Sequence, residues 1–479
     1  MPTSPSIPAF RLGVLYDSLN QVAIDDCRGG EPVGTMGLVN AGVVRRDLRK
    51  IEESFACLQA LSIEEMIAIC GRAAELFMDG DLFLTASQSQ TAADYVRQLS
   101  ASSGLPHALI RSNMEKIAFV LREVRSVVNG LTRGLPFEAI EQGILQTDAS
   151  LLSFYPATTC LGAVLPSNSP GVNSLWVPAL ALRIPVMLKP GKQDPWTPWR
   201  MIQALIAGGC PSEAFGYYPT DHEGSNVLAD SCGRVILFGD AKTVARHAGD
   251  PRVSCHGPGY SKIVMGEDCV DEWPRYVNVL ADSMLRNSGR SCVNASTIVV
   301  PRHGAEIAKA IAEQAIKLVP RPLEAADAGL AGFTNAAWAE AIDELIEQAL
   351  EEPGAVDVSA ALRGGNRLVS CDGISYLHPT VVHCADSAHS LAKTEYMFPF
   401  CSVVQMPQAE MAAWVGPSLV VSAITDDVGF RAELLQSAHI DRLNLGPIPT
   451  PKVAWDQPHE GNLFEFLYAR RAIQEQRCG

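Results

Sequence analysis

One cysteine in this chain lies in a sequence context that suits nucleophilic chemistry. Cys292 ends the segment Asn-Ser-Gly-Arg-Ser-Cys, residues 287–292, which follows a helix-like run at 273–285. The thiolate is the reactive form of cysteine, and a tight loop with Arg290 two residues away could lower the pKa of a thiol and leave it accessible. Free cysteines otherwise usually pack as small apolar residues. The segment therefore favours Cys292 as the nucleophile among thirteen cysteines.

The composition excludes several classes of protein. The chain has 479 residues, 47% of them apolar, which is enough for two or three domains with separate cores. Its 53 acidic and 38 basic residues give a net charge of -15, which argues against nucleic-acid binding. No run of about 18 apolar residues and no signal-like N-terminal segment occurs, so we expect a cytoplasmic protein without a membrane span.

The cysteines and histidines give no pattern typical of a disulfide framework or a metal site. The thirteen cysteines are odd in number and irregular in spacing, which favours a reducing compartment. No pair of CxxC motifs occurs, and the ten histidines do not fall at HExxH spacing. We therefore expect no metal.

Alternating strands and helices are predicted to position the cysteine. Between Cys160 and Ile263 the apolar pattern predicts strands at 161–165, 186–188 and 235–238 and helices at 172–182 and 198–206. This alternation is typical of a doubly wound, mostly parallel sheet of the nucleotide-binding type, although the GxGxxG fingerprint is absent. A second α/β series is predicted from Ser296 to about Ile440.

The N-terminal part is predicted to be irregular for 40 residues and then helical. Amphipathic helices are expected at 43–58 and 62–77, and Ser62 with Glu65 forms a capping box at the start of the second. The pattern is again helical over 101–130.

A short extended segment interrupts this helical region. Two apolar runs, 144–147 and 151–155, suit strands and are separated by Asp148 and Ser150. We expect this pair to pack outside its own domain.

Four segments, in the same order, resemble motifs of the aldehyde dehydrogenase superfamily. The sequences PSNSP at 166–170, LKPGKQDP at 188–195, NSGRSC at 287–292 and EYMFP at 395–399 resemble that family's PWN, LKPSEQTP, NxGQxC and E-x-F-G-P segments. Each match is weak alone. Because the four matches occur in the family's order over nearly the whole chain, the chain resembles a divergent member of the superfamily. The resemblance implies an α/β fold with a doubly wound parallel-sheet cofactor domain, an α/β catalytic domain and a small β oligomerisation arm.

The resemblance also implies the domain boundaries and assembly. Residues 1–136 and 159–264 would form the NAD(P)-binding domain, 265–445 the catalytic domain, and 137–158 with 446–479 the oligomerisation arm and tail. A homodimer or homotetramer is expected, with a small-molecule aldehyde as the other partner.

The implied reaction is the oxidation of an aldehyde by NAD or NADP. The Cys292 thiolate adds to the carbonyl, and the oxyanion of the thiohemiacetal would be held by the Asn168 side-chain amide and the Cys292 backbone N–H. Turn geometry is the alternative role for Asn168. Loss of hydride to a nicotinamide then leaves a thioester on Cys292.

Six residues are implied in cofactor binding: Lys189, Lys192, Gly239, Asp240, Glu395 and Phe398. Lys189 resembles the lysine that binds the adenosine ribose, and Lys192 replaces a glutamate found in many NAD-preferring relatives, so NADP is permitted. Asp240 suits a helix N-cap, but its charge would oppose a bound pyrophosphate. Glu395 would position the nicotinamide ribose, with Tyr396 as the alternative at the aligned place and a solvated glutamate as the other reading. Phe398 would pack near the nicotinamide or in the core.

The largest departure from the family concerns release of the thioester. Hydrolytic relatives carry a Glu-Leu-Gly-Gly-Lys segment whose glutamate activates water, whereas this chain has CHGPGYSK at 255–262. His256, or Cys255, takes the matching place as a candidate base, with a structural histidine as the alternative. The GxG form resembles the CoA-acylating branch, in which CoA accepts the acyl group.

Three hypotheses therefore stay open at this point. They are a hydrolytic aldehyde dehydrogenase, a CoA-acylating enzyme that also reduces acyl-CoA, and a non-catalytic binding protein on the same scaffold. Near the C-terminus, Trp455 and Phe464 would form an apolar substrate wall or pack in the core, and His459 is a further candidate proton shuttle.

Overall fold

The computed structural model describes residues 4–147, 151–458 and 461–476. Within these ranges two seven-stranded sheets carry most of the candidate functional residues at the ends of their strands. The fold class expected from the sequence, a mixed α/β protein with parallel sheets, is confirmed.

The first sheet has five parallel strands extended by an antiparallel hairpin. In spatial order its strands are Val253–His256, Arg234–Phe238, Leu161–Val164, Val186–Lys189, Phe215–Tyr217, Ala9–Arg11 and Val14–Tyr16. Because parallel strands end at the same edge, Lys189, Phe238 and His256 all lie at one edge of this sheet. That edge is where ligands bind in open α/β sheets.

Both faces of the first sheet are buried. Val186 and Leu188 pack in one apolar cluster with the helix Ile63–Asp79, whereas Met187 packs in a second cluster on the other face. Alternate residues of a strand point to opposite faces, so each cluster marks one covered face. The helices that precede or follow these strands are Ala41–Leu48, Ile51–Gln59, Ile63–Asp79, Ala92–Ser103, His107–Arg122, Val124–Leu131, Phe137–Glu141, Val177–Ala181, Trp196–Ala207, His222–Ser231 and Ala241–His247.

The second sheet is parallel except for one edge strand. In spatial order its strands are Ala355–Asp357, Thr380–Cys384, Phe400–Gln405, Thr297–Val300, Lys262–Met265, Ser418–Ile424 and Ile440–Leu445, the first of them antiparallel. The helices of this part are Val277–Leu285, Gly304–Ala315, Ala336–Leu350, Ser359–Arg363, Gln408–Val415 and Val428–Gln436.

A small third sheet joins the two ends of the arm that the sequence predicts. Ile144–Gln146 pairs antiparallel with Leu151–Pro156, which in turn pairs with Tyr468–Arg471 after the helix Leu463–Leu467. The two predicted strands are therefore confirmed, while Asp148 and Ser150 lie outside the described residues.

Three short sheets complete the described part of the chain. They are formed by Ser6–Ile7, Gly34–Gly37 and Gln21–Ile24, by Leu82–Thr85 and Gln88–Gln90, and by Leu368–Cys371 and Ile374–Leu377.

The local predictions for the helices are largely confirmed. The capping box of Ser62 and Glu65 is present, and the helix it starts, Ile63–Asp79, buries residues at the expected helical spacing. The helix expected at 43–58 is instead two, Ala41–Leu48 and Ile51–Gln59.

One expectation about the chain's organisation differs from the structure. The first 40 residues were expected to be irregular, and this is wrong, because their short apolar runs form strands that pair into sheets. The domain boundaries expected from the resemblance stay a prediction.

No single helix of the described chain has the length and apolar character needed to cross a membrane. One pair of helices, Ile51–Gln59 and Ile63–Asp79, passes that test only together and is bent by 96°.

Candidate active site

A strained loop positions Cys292. Asn287, Ser288 and Gly289 follow one another with φ of 52°, 56° and 64°, all in the left-handed region. Glycine and asparagine accept this conformation, but serine rarely does, and each such non-glycine residue is destabilising by roughly 1–3 kcal/mol. Surrounding contacts must therefore hold the loop in place.

Side-chain hydrogen bonds supply that support. The Asn287 amide donates to Ser169 Oγ at 3.1 Å and to Ser291 Oγ at 3.0 Å, and its carbonyl oxygen accepts from Asn113 Nδ2 at 2.8 Å. Ser288 Oγ accepts from the Ala331 backbone N–H at 2.8 Å. The loop is thus tied to the first sheet and to the helix His107–Arg122.

The segment 259–261 lies directly against Cys292. A Cβ on Gly259 would stand 2.0 Å from the Cys292 carbonyl oxygen, so only glycine fits there. Ser261 Oγ donates to the same carbonyl at 2.8 Å. This close approach explains why a glycine-containing loop faces the nucleophile.

The surroundings of Cys292 disfavour a resting thiolate. Burial raises the pKa of the Cys292 thiol to about 12, and the Glu395 carboxylate raises it as well. The Lys116 ammonium and the backbone N–H groups of Cys292 and Val293 oppose this by favouring the thiolate. The half-buried thiol is therefore protonated at neutral pH and needs a proton acceptor.

Glu395 is brought to this loop. Its carboxylate accepts hydrogen bonds from the backbone N–H of Gly259, at 3.2 Å, and of Tyr260. Burial raises the pKa of Glu395 to about 7, against the lowering effect of those two N–H groups. A carboxylate that titrates near neutral pH is matched to accept a proton at the working pH.

Asn168 contacts the loop 287–292 at Arg290. Its amide donates to the Arg290 carbonyl at 2.9 Å, and it lines a mostly apolar cavity of about 390 Å³ with Gln193, Trp338 and Met397. Cys292 lines a different, smaller cavity. The structure therefore places Asn168 against the nucleophile loop but does not bring its amide and Cys292 to one cavity.

His256 is buried away from Cys292. Its ring stacks on Phe238 with centroids 4.7 Å apart, Nε2 lies 3.1 Å from Ser254 Oγ, and the ring lines a separate cavity near Asn462. Burial lowers the pKa of His256 to about 4, so the ring is neutral at pH 7. Burial also raises the pKa of the neighbouring Cys255. Neither residue lines the cavity of Cys292.

Lys189 ends the strand Val186–Lys189, at the edge where ligands bind in open α/β sheets. Partial burial lowers the pKa of its ammonium. That ammonium makes no hydrogen bond or ion pair with any described residue, and such a cation suits a hydroxyl-rich or anionic ligand. Lys192 is exposed and pairs with Asp25 at 3.7 Å.

Asp240 takes the role of a helix cap. Its carboxylate accepts from the Thr243 N–H and hydroxyl, both at 2.8 Å, and these hydrogen bonds lower the pKa of Asp240. The Gly239 N–H donates to the His256 carbonyl at 3.1 Å. The N-terminus of Ala241–His247 therefore already faces a carboxylate, which opposes a phosphate there.

Phe398 lies in the core of the second domain. It is 3% exposed and packs near Phe400, and its backbone contacts Gly289, where a Cβ would stand 2.6 Å away. Met397, one residue earlier, lines the cavity of Asn168 instead. Of the two alternatives left by the sequence, the structure shows packing for Phe398.

Lys116 lies beside Cys292, although no sequence pattern selects it. It projects from His107–Arg122 into the small cavity of Cys292 and also lines a cleft of about 770 Å³ next to it. Its ammonium lies 5.9 Å from the Trp455 ring, and burial lowers the pKa of Lys116. A lysine within an amphipathic helix has no motif of its own, so only its three-dimensional position reveals it.

The aromatic candidates near the C-terminus separate in the structure. Trp455 lines both the cleft and the cavity of Cys292, as a substrate wall would. Phe464 packs between Phe154 and Tyr468, so it is a core residue. His459 lies outside the described residues.

One group of potential metal-ligating side chains occurs in the described chain. Asp268, Cys269 and Asp426 place their ligand atoms close together, and both aspartates are exposed. This group is separate from the cavity of Cys292.

Comparisons with known proteins agree on one family. The sequence model described as "Aldehyde dehydrogenase family" matches residues 29–415. A curated relative from Dictyostelium discoideum, described as probable methylmalonate-semialdehyde/malonate-semialdehyde dehydrogenase (acylating), mitochondrial, is 24% identical over 270 residues. That match spans 51% of this chain and 51% of the relative, about half the length of each.

Solved structures share the whole fold at low identity. The aldehyde dehydrogenase KauB of Pseudomonas aeruginosa superposes with a TM-score of 0.80 at 15% identity, covering 98% of this chain and 96% of that one. Aldehyde dehydrogenase C of Pseudomonas syringae, solved with NAD+ and octanal, gives 0.79 at 18% identity, covering 99% and 97%.

Proposed function

Because the chain belongs to the aldehyde dehydrogenase family, whose members are oxidoreductases that act on aldehydes, we propose that it oxidises an aldehyde with NAD or NADP through Cys292. The observation that carries this proposal is the fixed position of a half-buried cysteine, at a small cavity that adjoins a large cleft. Asn287 and its partners hold that position.

The residues around Cys292 support the first chemical step. The thiol must lose its proton before it attacks, and Glu395, with a pKa near 7, is the acceptor we propose. Lys116 and the backbone N–H groups of Cys292 and Val293 stabilise negative charge, first on sulfur and then on the oxygen of the thiohemiacetal. Asn168 donates to the Arg290 carbonyl and lines a different cavity, so we do not assign it to this oxyanion.

The cofactor is proposed to bind along the C-terminal edge of the first sheet. Lys189 would hold the ribose, and the apolar cavity lined by Asn168, Gln193 and Met397 would exclude water beside the nucleophile loop. NAD(P)+ bound there would supply the hydride acceptor. Lys192 carries no negative charge that would repel a 2′-phosphate, so both cofactors are proposed.

The thioester has two proposed fates. Hydrolysis needs a base beside Cys292, and Glu395 is the titratable carboxylate bound to the facing loop. Acyl transfer to CoA is the second candidate, favoured because segment 255–262 contains no carboxylate and because His256 lies in another cavity. The relative in Dictyostelium discoideum bears the description "acylating", which favours the same alternative.

One assay separates these functions. The purified protein is mixed with a panel of aldehydes and with NAD or NADP, with and without CoA, while NAD(P)H, acid and acyl-CoA are measured. Cys292→Ala is the test variant, and Cys57→Ala, in the helix Ile51–Gln59, is the matched control.

The expected result is NAD(P)H formation that Cys292→Ala abolishes and Cys57→Ala retains. Acid formed without CoA supports hydrolysis, whereas strict dependence on CoA supports the acylating alternative. Absence of turnover with every aldehyde, while NAD(P) still binds, would overturn the proposal and favour a non-catalytic binding protein. A dimer or tetramer is proposed for the assembly, and mass photometry of the same sample tests it.

A further inference from the structure

The cleft beside Cys292 is positively charged although the chain is strongly acidic. Its described lining contains Lys116, Arg286, Lys317 and Lys452 and only one acidic residue, Asp282. The whole chain has 53 acidic and 38 basic residues. The charge balance in the cleft is thus opposite to that of the protein, which indicates a local requirement for positive charge.

The acidic residue does not neutralise the lysines. Asp282 is bound by Arg286, whose Nε donates to it at 3.1 Å. Lys317 donates to the Gln314 side-chain carbonyl at 2.9 Å. Among the described residues, no carboxylate lies within ion-pairing distance of Lys116, Lys317 or Lys452. Three ammonium groups therefore line the cleft with no carboxylate partner among residues 4–147, 151–458 and 461–476.

Lys116 connects this charge to the nucleophile. It lines both the cleft and the cavity of Cys292, and its side chain passes close to Gly171, where a Cβ would stand 3.3 Å from Cδ and 3.5 Å from Nζ. A larger residue at position 171 would push the lysine away. The glycine thus permits a cation at the inner end of the cleft.

The same cleft also offers apolar surface. Leu109, Leu285, Val453 and Trp455 line it together with the cations. A ligand with a short hydrocarbon segment and an anionic end would match both properties, whereas a purely apolar aldehyde would leave three lysines without partners.

We propose that the aldehyde substrate carries an anionic group, a carboxylate or a phosphate, which Lys116, Lys317 and Lys452 bind while its carbonyl meets Cys292. This inference rests on the proposed function and adds the chemical class of the substrate. Long-range attraction by the three cations would speed entry into the cleft and would weaken as salt screens it.

The first experiment compares an uncharged aldehyde with two anionic ones of similar length. Succinate semialdehyde carries a carboxylate where butanal has a methyl group, and glyceraldehyde 3-phosphate tests the phosphate arm. We expect kcat/KM for at least one anionic aldehyde to exceed that for butanal by tenfold or more. This ratio should fall as NaCl is added, because salt screens the lysines. Equal values for butanal and both anions would overturn the inference while leaving the proposed function intact.

Variants then assign the preference to the cleft. Lys317→Gln combined with Lys452→Gln is expected to reduce the preference for the anionic aldehyde over butanal to about threefold or less. Lys309→Gln is the control, since Lys309 is exposed on the helix Gly304–Ala315, which ends just before Lys317, but does not line the cleft. A preference that survives the double substitution would contradict the assignment.

The second experiment needs no turnover. Iodoacetate and iodoacetamide alkylate the same thiol but differ in charge, and peptide mass spectrometry reads the rate at Cys292. The ratio of the iodoacetate rate to the iodoacetamide rate should fall about three- to tenfold in the double variant and stay constant in Lys309→Gln. An unchanged ratio would show that the lysines do not act on anions at Cys292, even if no aldehyde is turned over.

Discussion

The two sides of the loop that carries Cys292 differ in polarity. The cavity of about 390 Å³ on one side is mainly apolar, and Arg290, the cation of its described lining, is held by the carbonyls of Ser103 and Gly332. The cleft of about 770 Å³ on the other side presents three lysines that form no ion pair within the part of the chain that the structure describes. The same loop thus borders a dry compartment and a charged one.

This difference fits two tasks that a dehydrogenase must separate. Hydride transfer benefits from exclusion of water, whereas capture of a polar substrate benefits from fixed charges near solvent. The left-handed residues at 287–289 allow the loop to turn between the two compartments, and the Asn287 hydrogen bonds keep it there. We infer that the rigidity of the loop keeps the compartments distinct.

Removal of the sulfur should abolish the function of both compartments. Cys292→Ala is expected to lower kcat by at least about 10³-fold, because the described lining of the cavity offers no second thiol to form the thioester. NAD(P) affinity, measured by fluorescence titration, should change less than about threefold. If Cys292→Ala retained more than a tenth of the activity, the nucleophile would have to be sought elsewhere.

Changes on the cofactor side should act on cofactor binding alone. Lys189→Met should raise the KM for NAD(P) about tenfold, because this variant removes the cation that we propose binds the ribose. Lys192→Glu should weaken the binding of NADP about tenfold, since a carboxylate repels the 2′-phosphate, and should weaken the binding of NAD less. In both variants the KM for the aldehyde is the internal control, and a parallel rise there would contradict the separation of the two sides.

Glu395 and Lys116 should shift the pKa of the Cys292 thiol in opposite directions. Glu395→Gln removes an anion that raises the pKa of Cys292, so alkylation by iodoacetamide at pH 8.5 should be roughly three- to tenfold faster. Lys116→Met removes a cation that lowers this pKa, so alkylation should be slower by a similar factor. Wild-type alkylation should rise with pH without a plateau up to about pH 10, because the pKa of the thiol is about 12.

The pH dependence provides the control for this pair. Glu395 has a pKa of about 7, so its carboxylate is charged above that pH and neutral below it. The effect of Glu395→Gln on alkylation should therefore vanish below about pH 6, whereas the effect of Lys116→Met should persist. If Glu395 is also the base for turnover, Glu395→Gln will lower kcat even while the thiol becomes more reactive.

The smallest effect is expected at the edge of the cofactor site. Asp240→Ser keeps a residue that caps Ala241–His247 but removes the negative charge, so the KM for NAD(P) should fall about threefold. The melting temperature should change by no more than about 2 °C, because serine caps helices almost as well as aspartate. A rise in KM would indicate that the carboxylate binds the cofactor.

Periodicity and local motifs predicted those features that depend on neighbours in the chain. The strands at 161–165, 186–188 and 235–238, the Ser62 capping box and the paired strands of the arm all follow from local patterns. The strands within the first 40 residues escaped prediction because their runs are only two to four residues long, too short to show the alternation of a strand.

The sequence by itself determined the type of fold, the family motifs and the cysteine that such motifs select, since each is encoded in residues close together in the chain. Tertiary structure decided which charges act on that cysteine. Lys116 and Glu395 are 176 and 103 residues away from Cys292 and influence it only because folding brings their helix and loop together. It also decided that Met397 rather than Phe398 lines the apolar cavity, and that His256 lies in a cavity of its own. Burial and Coulomb interactions depend on distance in space, and a one-dimensional pattern does not contain that distance.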